Sequence, residues 1–187
     1  NDFLVGYIQG AKEANPDVKV AASFVGNYND SSKGKELSLA MNNQKADYIF
    51  NVAGGAGLGL IEAAVDKGFY VLGVDSDQAM IYENANKLEF SKVIPTSVMK
   101  NVDSSLFRAI DLYIKGELKI GAKEVLGLAE NGVGIADNKY YQEMVPEEYR
   151  KEVEALLKKV IDKEIVVDTA YGKTTEEIAK IKDSVRP

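Results

Sequence analysis

Residues Asp47 to Gln78 read DYIFNVAGGAGLGLIEAAVDKGFYVLGVDSDQ, and the fold class follows from them. Asp47 to Val52 is a short run rich in aromatic and β-branched side chains, which predicts a strand. Ala53-Gly54-Gly55-Ala56-Gly57 punctuates it, and Leu58 to Lys67 carries the helical period. Phe69 to Val74 predicts a second strand, closed by the acidic turn Asp75-Ser76-Asp77-Gln78. Strand, loop, helix and strand in this order make a βαβ unit, whose parallel strands are covered by helices on both faces.

The same alternation extends upstream. Val18 to Val25 predicts a strand, Gly26-Asn27-Tyr28-Asn29-Asp30 a polar loop, and Ser32 to Gln44 a helix with Leu37, Ala40 and Met41 on one face. Asn1 to Asn15 predicts a helix through Phe3, Leu4, Tyr7, Ile8, Ala11 and Ala14, with Asn1 or Asp2 as its cap and Pro16 beyond its end. Crossover helices connect strands, so a helix that opens such a sheet implies a strand, or a whole lobe, upstream of Asn1.

Downstream the pattern loosens. Ala79 to Lys92 is polar without a clear period; Val93 to Met99 predicts a strand and Val102 to Lys115 a helix with Leu106, Phe107, Ile110 and Ile114 facing inward. Lys123 to Leu128 predicts a strand and Gly132 to Ala136 a short extended piece. Pro146 to Lys163 predicts an amphipathic helix (Tyr149, Val153, Leu156, Leu157, Val160, Ile161), Ile165 to Val167 a last strand, and Thr174 to Ile181 a last helix.

Composition narrows the chemistry. The 187 residues are 45% hydrophobic and 28% charged, a globular profile. A net charge of −6 disfavours nucleic acid or an anionic membrane surface as partner. Cys and His are both absent, which removes disulfides, thiolate nucleophiles, zinc sites of the usual kind and imidazole acid–base catalysis. The expectation is a protein that is not an enzyme, with no catalytic residue, no metal and no cofactor. No apolar run approaches the roughly 18 residues of a membrane span. Asn1 follows no signal peptide or lipid-attachment Cys, so the expectation is a processed or truncated product.

Three interpretations fit Gly54-Gly55-Ala56-Gly57-Leu58-Gly59. Between a strand and a helix, with Asp75 twenty residues after Gly55, it mimics a dinucleotide-binding loop, although Leu60 stands where the third glycine of that fingerprint belongs. It also fits a purely structural tight turn. A third interpretation has loop amides donating to a small polar ligand while the Asp75 carboxylate accepts from a vicinal diol. Tyr28, Gly54 and Asp75 all follow the carboxyl ends of predicted strands, where open parallel sheets hold ligands, and Tyr28 offers a ring face. Lys100 follows another such end; by itself it would be a solvated surface charge.

Four motifs, FVGNYND followed by KGKE (Phe24–Asp30, Lys33–Glu36), VAGGAGLGLIEAA (Val52–Ala64), GVDSDQ (Gly73–Gln78) and TSVMKNVD (Thr96–Asp103), resemble the basic membrane protein (Med) family of bacterial lipoproteins. Its best-understood members are purine-nucleoside receptors of ABC importers. The resemblance implies a type I periplasmic-binding-protein fold, two Rossmann-like lobes of parallel sheet closing on the ligand. Residues 1–78 and 121–173 would form most of the second lobe and 93–118 a segment of the first. Residues 79–92 and 119–122 would be crossovers, and 174–187 a helical tail. Most of the first lobe would be missing. Asp75 and Lys100 look like the groups that hold the ribose hydroxyls, Tyr28 like an aromatic side against the ligand, and Ala53, Gly54 and Gly55 like the wall beside it. The implied partners are a nucleoside-like molecule, an ABC permease and the missing N-terminal lobe. The full-length protein would be extracytoplasmic and lipid-anchored to the bacterial cell membrane. Left open are a nucleotide-dependent enzyme using the glycine loop and a surface sensor of the same fold for a sugar or autoinducer.

Overall fold

The computed structural model describes all residues, Asn1–Pro187. Helix α1 (Asp2–Ala14) and helix α2 (Ser31–Asn43) precede strand β1 (Tyr48–Phe50), a 3-10 turn (Gly54–Ala56), helix α3 (Gly57–Lys67) and strand β2 (Tyr70–Asp75). Short helices α4 (Gln78–Asn84) and α5 (Leu88–Ser91) lead to strand β3 (Ser97–Lys100) and helix α6 (Val102–Ile114). Strand β4 (Val133–Ile135) and helices α7 (Lys139–Met144), α8 (Glu147–Ile161) and α9 (Thr175–Asp183) complete the chain. The sheet order is β1-β2-β3-β4, parallel except for the last pair.

Local chemistry sets most of these boundaries. The Asp30 side chain accepts from Lys33 N–H at the start of α2, and a reciprocal Thr174–Glu177 capping box starts α9. Gly68 ends α3 in the left-handed conformation, φ 77°. The core lies between α3 and the sheet: Ile49, Leu60, Ile61, Ala63, Ala64, Phe69, Val71, Ala79, Ile94 and Tyr140. Helices α2 and α3 approach backbone to backbone at two glycines. A methyl on Gly59 would stand 1.8 Å from the Ser31 carbonyl oxygen, and one on Gly34 2.2 Å from that of Ala56.

Several expected elements differ. Residues Val18 to Val25 join no ladder; besides a turn bond from Val18 N–H to the Asn15 carbonyl (3.0 Å), the segment is tied through Val20 N–H to the Val185 carbonyl, 2.8 Å. Strand β1 is paired on one side only, with β2, so Val18–Val25 does not extend the sheet at that free edge. Lys123 to Leu128 is irregular, and Gly132 N–H closes onto the Gly127 carbonyl at 2.9 Å. Ile165 to Val167 is irregular too, held through the Gln9 carboxamide, which donates to the Val166 carbonyl (3.0 Å) and accepts from Asp168 N–H (2.6 Å). The polar stretch 79–92 contains α4 and α5, short helices stabilised by the Asp77 cap and by a buried Ser91 hydroxyl donating to the Ala79 carbonyl at 2.8 Å.

Two differences bear on domain organisation. Strand β3, within the segment 93–118 expected in the other lobe, pairs with β2 through Gly73↔Ser97, Val74↔Val98 and Asp75↔Met99. It therefore belongs to the same sheet. Helix α6 forms as expected, yet Leu106, Phe107, Ile110 and Ile114 point to solvent with 60%, 75%, 59% and 77% of their surface exposed. The apolar stripe of α8 is likewise half-buried at best, Tyr149 and Ile161 being exposed. Only 27 of the 187 residues are buried, so the core around α3 is the one well-covered centre of the molecule.

Candidate functional site

The carboxyl ends of β1, β2 and β3 form one edge, and each expected site residue lies along it or on the loop beside it. Asp75 ends β2 and Lys100 ends β3; the register that sets Asp75 against Met99 brings Lys100 Nζ to 2.9 Å from Asp75 Oδ1. Both side chains remain more than half exposed, 52% and 59%. An ion pair this open contributes about 0–1 kcal/mol to stability, which leaves its exposed atoms available to a ligand.

Asp75 is also conformationally unusual. Its φ is +66°, and Ser76 N–H donates to the Val74 carbonyl at 2.8 Å, so the chain turns within three residues as a γ-turn of the strained hand. Lys45, Asn86 and Lys163, also at positive φ, follow helix ends where that conformation is routine. A non-glycine residue held there at a strand end costs on the order of 1–3 kcal/mol, a cost that concentrates where side-chain direction matters. The turn is anchored from β3 as well, since Gln78 N–H donates to the buried Ser97 hydroxyl at 3.2 Å.

The second group is Tyr28 with the glycine turn. Tyr28 accepts at its carbonyl from Ala56 N–H, 2.8 Å, and its ring covers Gly54, where a methyl would come within 3.1 Å of the ring. The other ring face is open, with Tyr28 75% exposed. Gly54 has φ +58°, a conformation that favours glycine. Gly55 closes against the Tyr28 carbonyl (3.0 Å to an added methyl), Gly57 against buried Asn51 (2.0 Å to Oδ1) and Gly59 against the α2 backbone. Each glycine's space is thus filled by the chain itself. A dinucleotide loop needs the space beside its second glycine for pyrophosphate, and beside Gly57 that space holds Asn51, so the tight-turn interpretation fits these glycines better. Ala53 is half-buried just before the turn.

Sequence reasoning missed a polar network behind Asp75. Asp77 caps α4 by accepting from Met80 N–H (3.1 Å), and Asn138 Nδ2 donates to both Asp77 oxygens at 2.8 and 2.9 Å. The Asn138 Oδ1 caps α7, accepting from the N–H groups of Tyr140 (2.8 Å) and Tyr141 (3.1 Å). Next to it, Glu83 accepts from Lys139 and from the Tyr140 hydroxyl, both 2.7 Å. These bonds hold the Glu83 carboxyl below its ordinary range, the lysine contributing most, and raise Lys139 in turn. Burial pushes the Tyr140 hydroxyl up, and its bond to Glu83 adds to that. The available signal was an Asn directly before Lys-Tyr-Tyr, an N-cap pattern.

The largely parallel sheet with its covering helices is a fold shared with solved solute-binding proteins. One from Aeropyrum pernix K1 matches with a TM-score of 0.75 at 23% identity, covering 97% of this chain and 58% of that one. One from Conexibacter woesei matches at 0.70 and 19%, covering 90% and 54%. The fold is therefore that of the ABC solute-binding proteins. The family model described as ABC transporter substrate-binding protein PnrA-like matches residues 1–170, and the chain belongs to this family. Among curated relatives, basic membrane protein A of Borreliella afzelii is 34% identical over 178 residues, 94% of this chain and 51% of that protein. Basic membrane protein A of Borreliella burgdorferi is 33% identical over 185 residues, 94% and 50%. The chain spans about half the length of the curated relatives it matches. No helix is long and apolar enough to cross a membrane.

Proposed function

We propose that the chain is the greater part of one lobe of an extracytoplasmic substrate-binding protein that delivers a nucleoside to an ABC permease. Asp75 and Lys100 meet the ribose hydroxyls, Tyr28 flanks the base, and Ala53, Gly54 and Gly55 form the wall beside it. The observation that carries this reading is the Asp75–Lys100 pair: two opposite charges, 2.9 Å apart and open to solvent, presented by adjacent strands at the ligand edge of the sheet. A diol donates to the free carboxylate oxygen and accepts from the ammonium, two charge-assisted bonds worth about 1.5–3 kcal/mol each. No covalent step is involved, and the reading is of a receptor rather than an enzyme.

Our division of the lobes differs from the sequence expectation at one point. Because β3 lies in this sheet, we place the crossing to the other lobe after Lys100, with α6 as the segment that the other lobe covers and β4 as the return. The full-length protein would be held at the outer face of the cell membrane by a lipid anchor.

Calorimetric titration of the two-lobed protein with guanosine, NAD and free sugars tests the reading. Guanosine is expected to bind, and Asp75→Ala to weaken it at least tenfold. Unchanged affinity in Asp75→Ala removes the ribose role; heat from a sugar alone favours a sensor of another ligand. Binding of NAD alone would restore the enzyme reading, against which the filled glycine turn already speaks.

A further inference from the structure

The turn that carries Asp75 continues into Asp77, and Asp77 is gripped from a distant part of the chain. Asn138 follows β4 and lies 61 positions along from Asp77. Its carboxamide is fully divided between two tasks. The oxygen caps α7, while the nitrogen donates to both oxygens of Asp77, which themselves cap α4. Two short helices and the strained Asp75 γ-turn are thereby joined through one side-chain contact. The Ser97 hydroxyl pins Gln78 on the other side of Asp77, and Ser97 lies three residues before Lys100 on β3. Asp75 at φ +66° persists only while its surroundings hold it there.

We propose that Asn138 is a positioning residue: its contact with Asp77 locks the Asp75 turn and so sets the Asp75–Lys100 pair in the geometry a ligand meets. Asn138 touches neither member of that pair. The ligand consequence rests on the reading of Asp75 as the ligand's carboxylate; the conformational consequence does not. In physical terms, the segment returning from the α6 excursion must be docked through Asn138 before Asp75 is correctly aimed. Binding competence is thereby tied to completed assembly of the sheet's last strand.

The two tasks of the carboxamide can be separated. Asn138→Ser and Asn138→Asp both keep a capping oxygen for α7 but remove the carboxamide NH2 that spans both Asp77 oxygens; the second adds charge repulsion. Asp77→Asn keeps the α4 cap and one acceptor for Asn138. The readout is the three-bond amide-to-α-proton coupling of Asp75 in the isotope-labelled 187-residue chain, which reports φ directly. In Asn138→Ser and Asn138→Asp the coupling is expected to move toward the extended-strand value, and in Asp77→Asn to stay as in the parent. An unchanged coupling in both Asn138 variants, with α7 intact, overturns the proposal.

A second arm uses guanosine and the two-lobed protein. Asn138→Ser is expected to weaken binding roughly fivefold alone and to add nothing to Asp75→Ala, because it acts through that residue. Independent, multiplying losses would overturn the proposal. If the coupling moves but Asp75→Ala leaves guanosine affinity unchanged, the positioning role of Asn138 stands and the ribose role of Asp75 falls.

Discussion

Helix α3 buries six of its eleven residues, whereas α6, two residues longer and just as clearly amphipathic in sequence, buries none. The difference is not in propensity. Helix α3 has partners on two sides: α2 comes within backbone contact at Gly59, and the sheet takes Leu60, Ile61 and Ala64. Helix α6 presents Leu106, Phe107, Ile110, Tyr113 and Ile114 to no other element, and Ile120 and Val125 extend the apolar surface beyond it. An apolar face of that extent on a folded chain marks a surface built to be covered. Periodicity in a sequence states that a face will be buried; it does not state against what.

That contrast can be tested by substitution. The largest effect is expected at Ile61→Ala, which empties a fully buried site and should cost about 3 kcal/mol in urea unfolding. Gly59→Ala should follow at about 2 kcal/mol, since its methyl would meet the Ser31 carbonyl oxygen and α2 would have to move. Thr174→Ala, which removes the α9 capping box, is expected to cost about 1 kcal/mol. Phe107→Ser with Ile114→Ser should change stability by no more than roughly 0.5 kcal/mol while lowering the binding of an apolar dye. If the α6 double substitution destabilises the chain as much as Ile61→Ala does, α6 has a partner within it and the contrast is broken.

The smallest expected effect is pH-dependent. Glu83 is held below its ordinary value by Lys139 and Tyr140 in the folded chain, so its contribution is complete above the ordinary glutamate pKa of about 4.3. As pH falls through the depressed value, the folded-state carboxylate is protonated and the contribution is lost. Acid titration of Glu83→Gln should therefore show a shallower loss of stability below that point than the parent.

The βαβ unit at Asp47–Gln78 was legible because every level of information agrees there: β-branched runs, a glycine break, a helical period and an acidic turn. The place of Asp75 and Lys100 at the carboxyl edge was legible because both follow predicted strands that form, whereas Tyr28 follows a predicted strand that does not. Val18–Val25 has the composition of a strand but forms no ladder, and pairing is a property of two segments. Likewise, nothing near Asn138 announces Asp77, because their contact depends on how the chain returns after α6. The positive φ of Asp75 has only a weak composition signal, since aspartate is enriched in that region but adopts it far less readily than glycine.

The ion pair at the edge also has a kinetic side. Because Asp75 and Lys100 neutralise each other at 2.9 Å, their joint field decays as that of a dipole and is small beyond a few ångströms. A neutral solute approaching this edge is neither drawn in nor repelled from afar. Its association rate is therefore expected to be flat with added salt, whereas Lys100→Met, which unmasks the carboxylate, should make the capture of cationic solutes salt-sensitive.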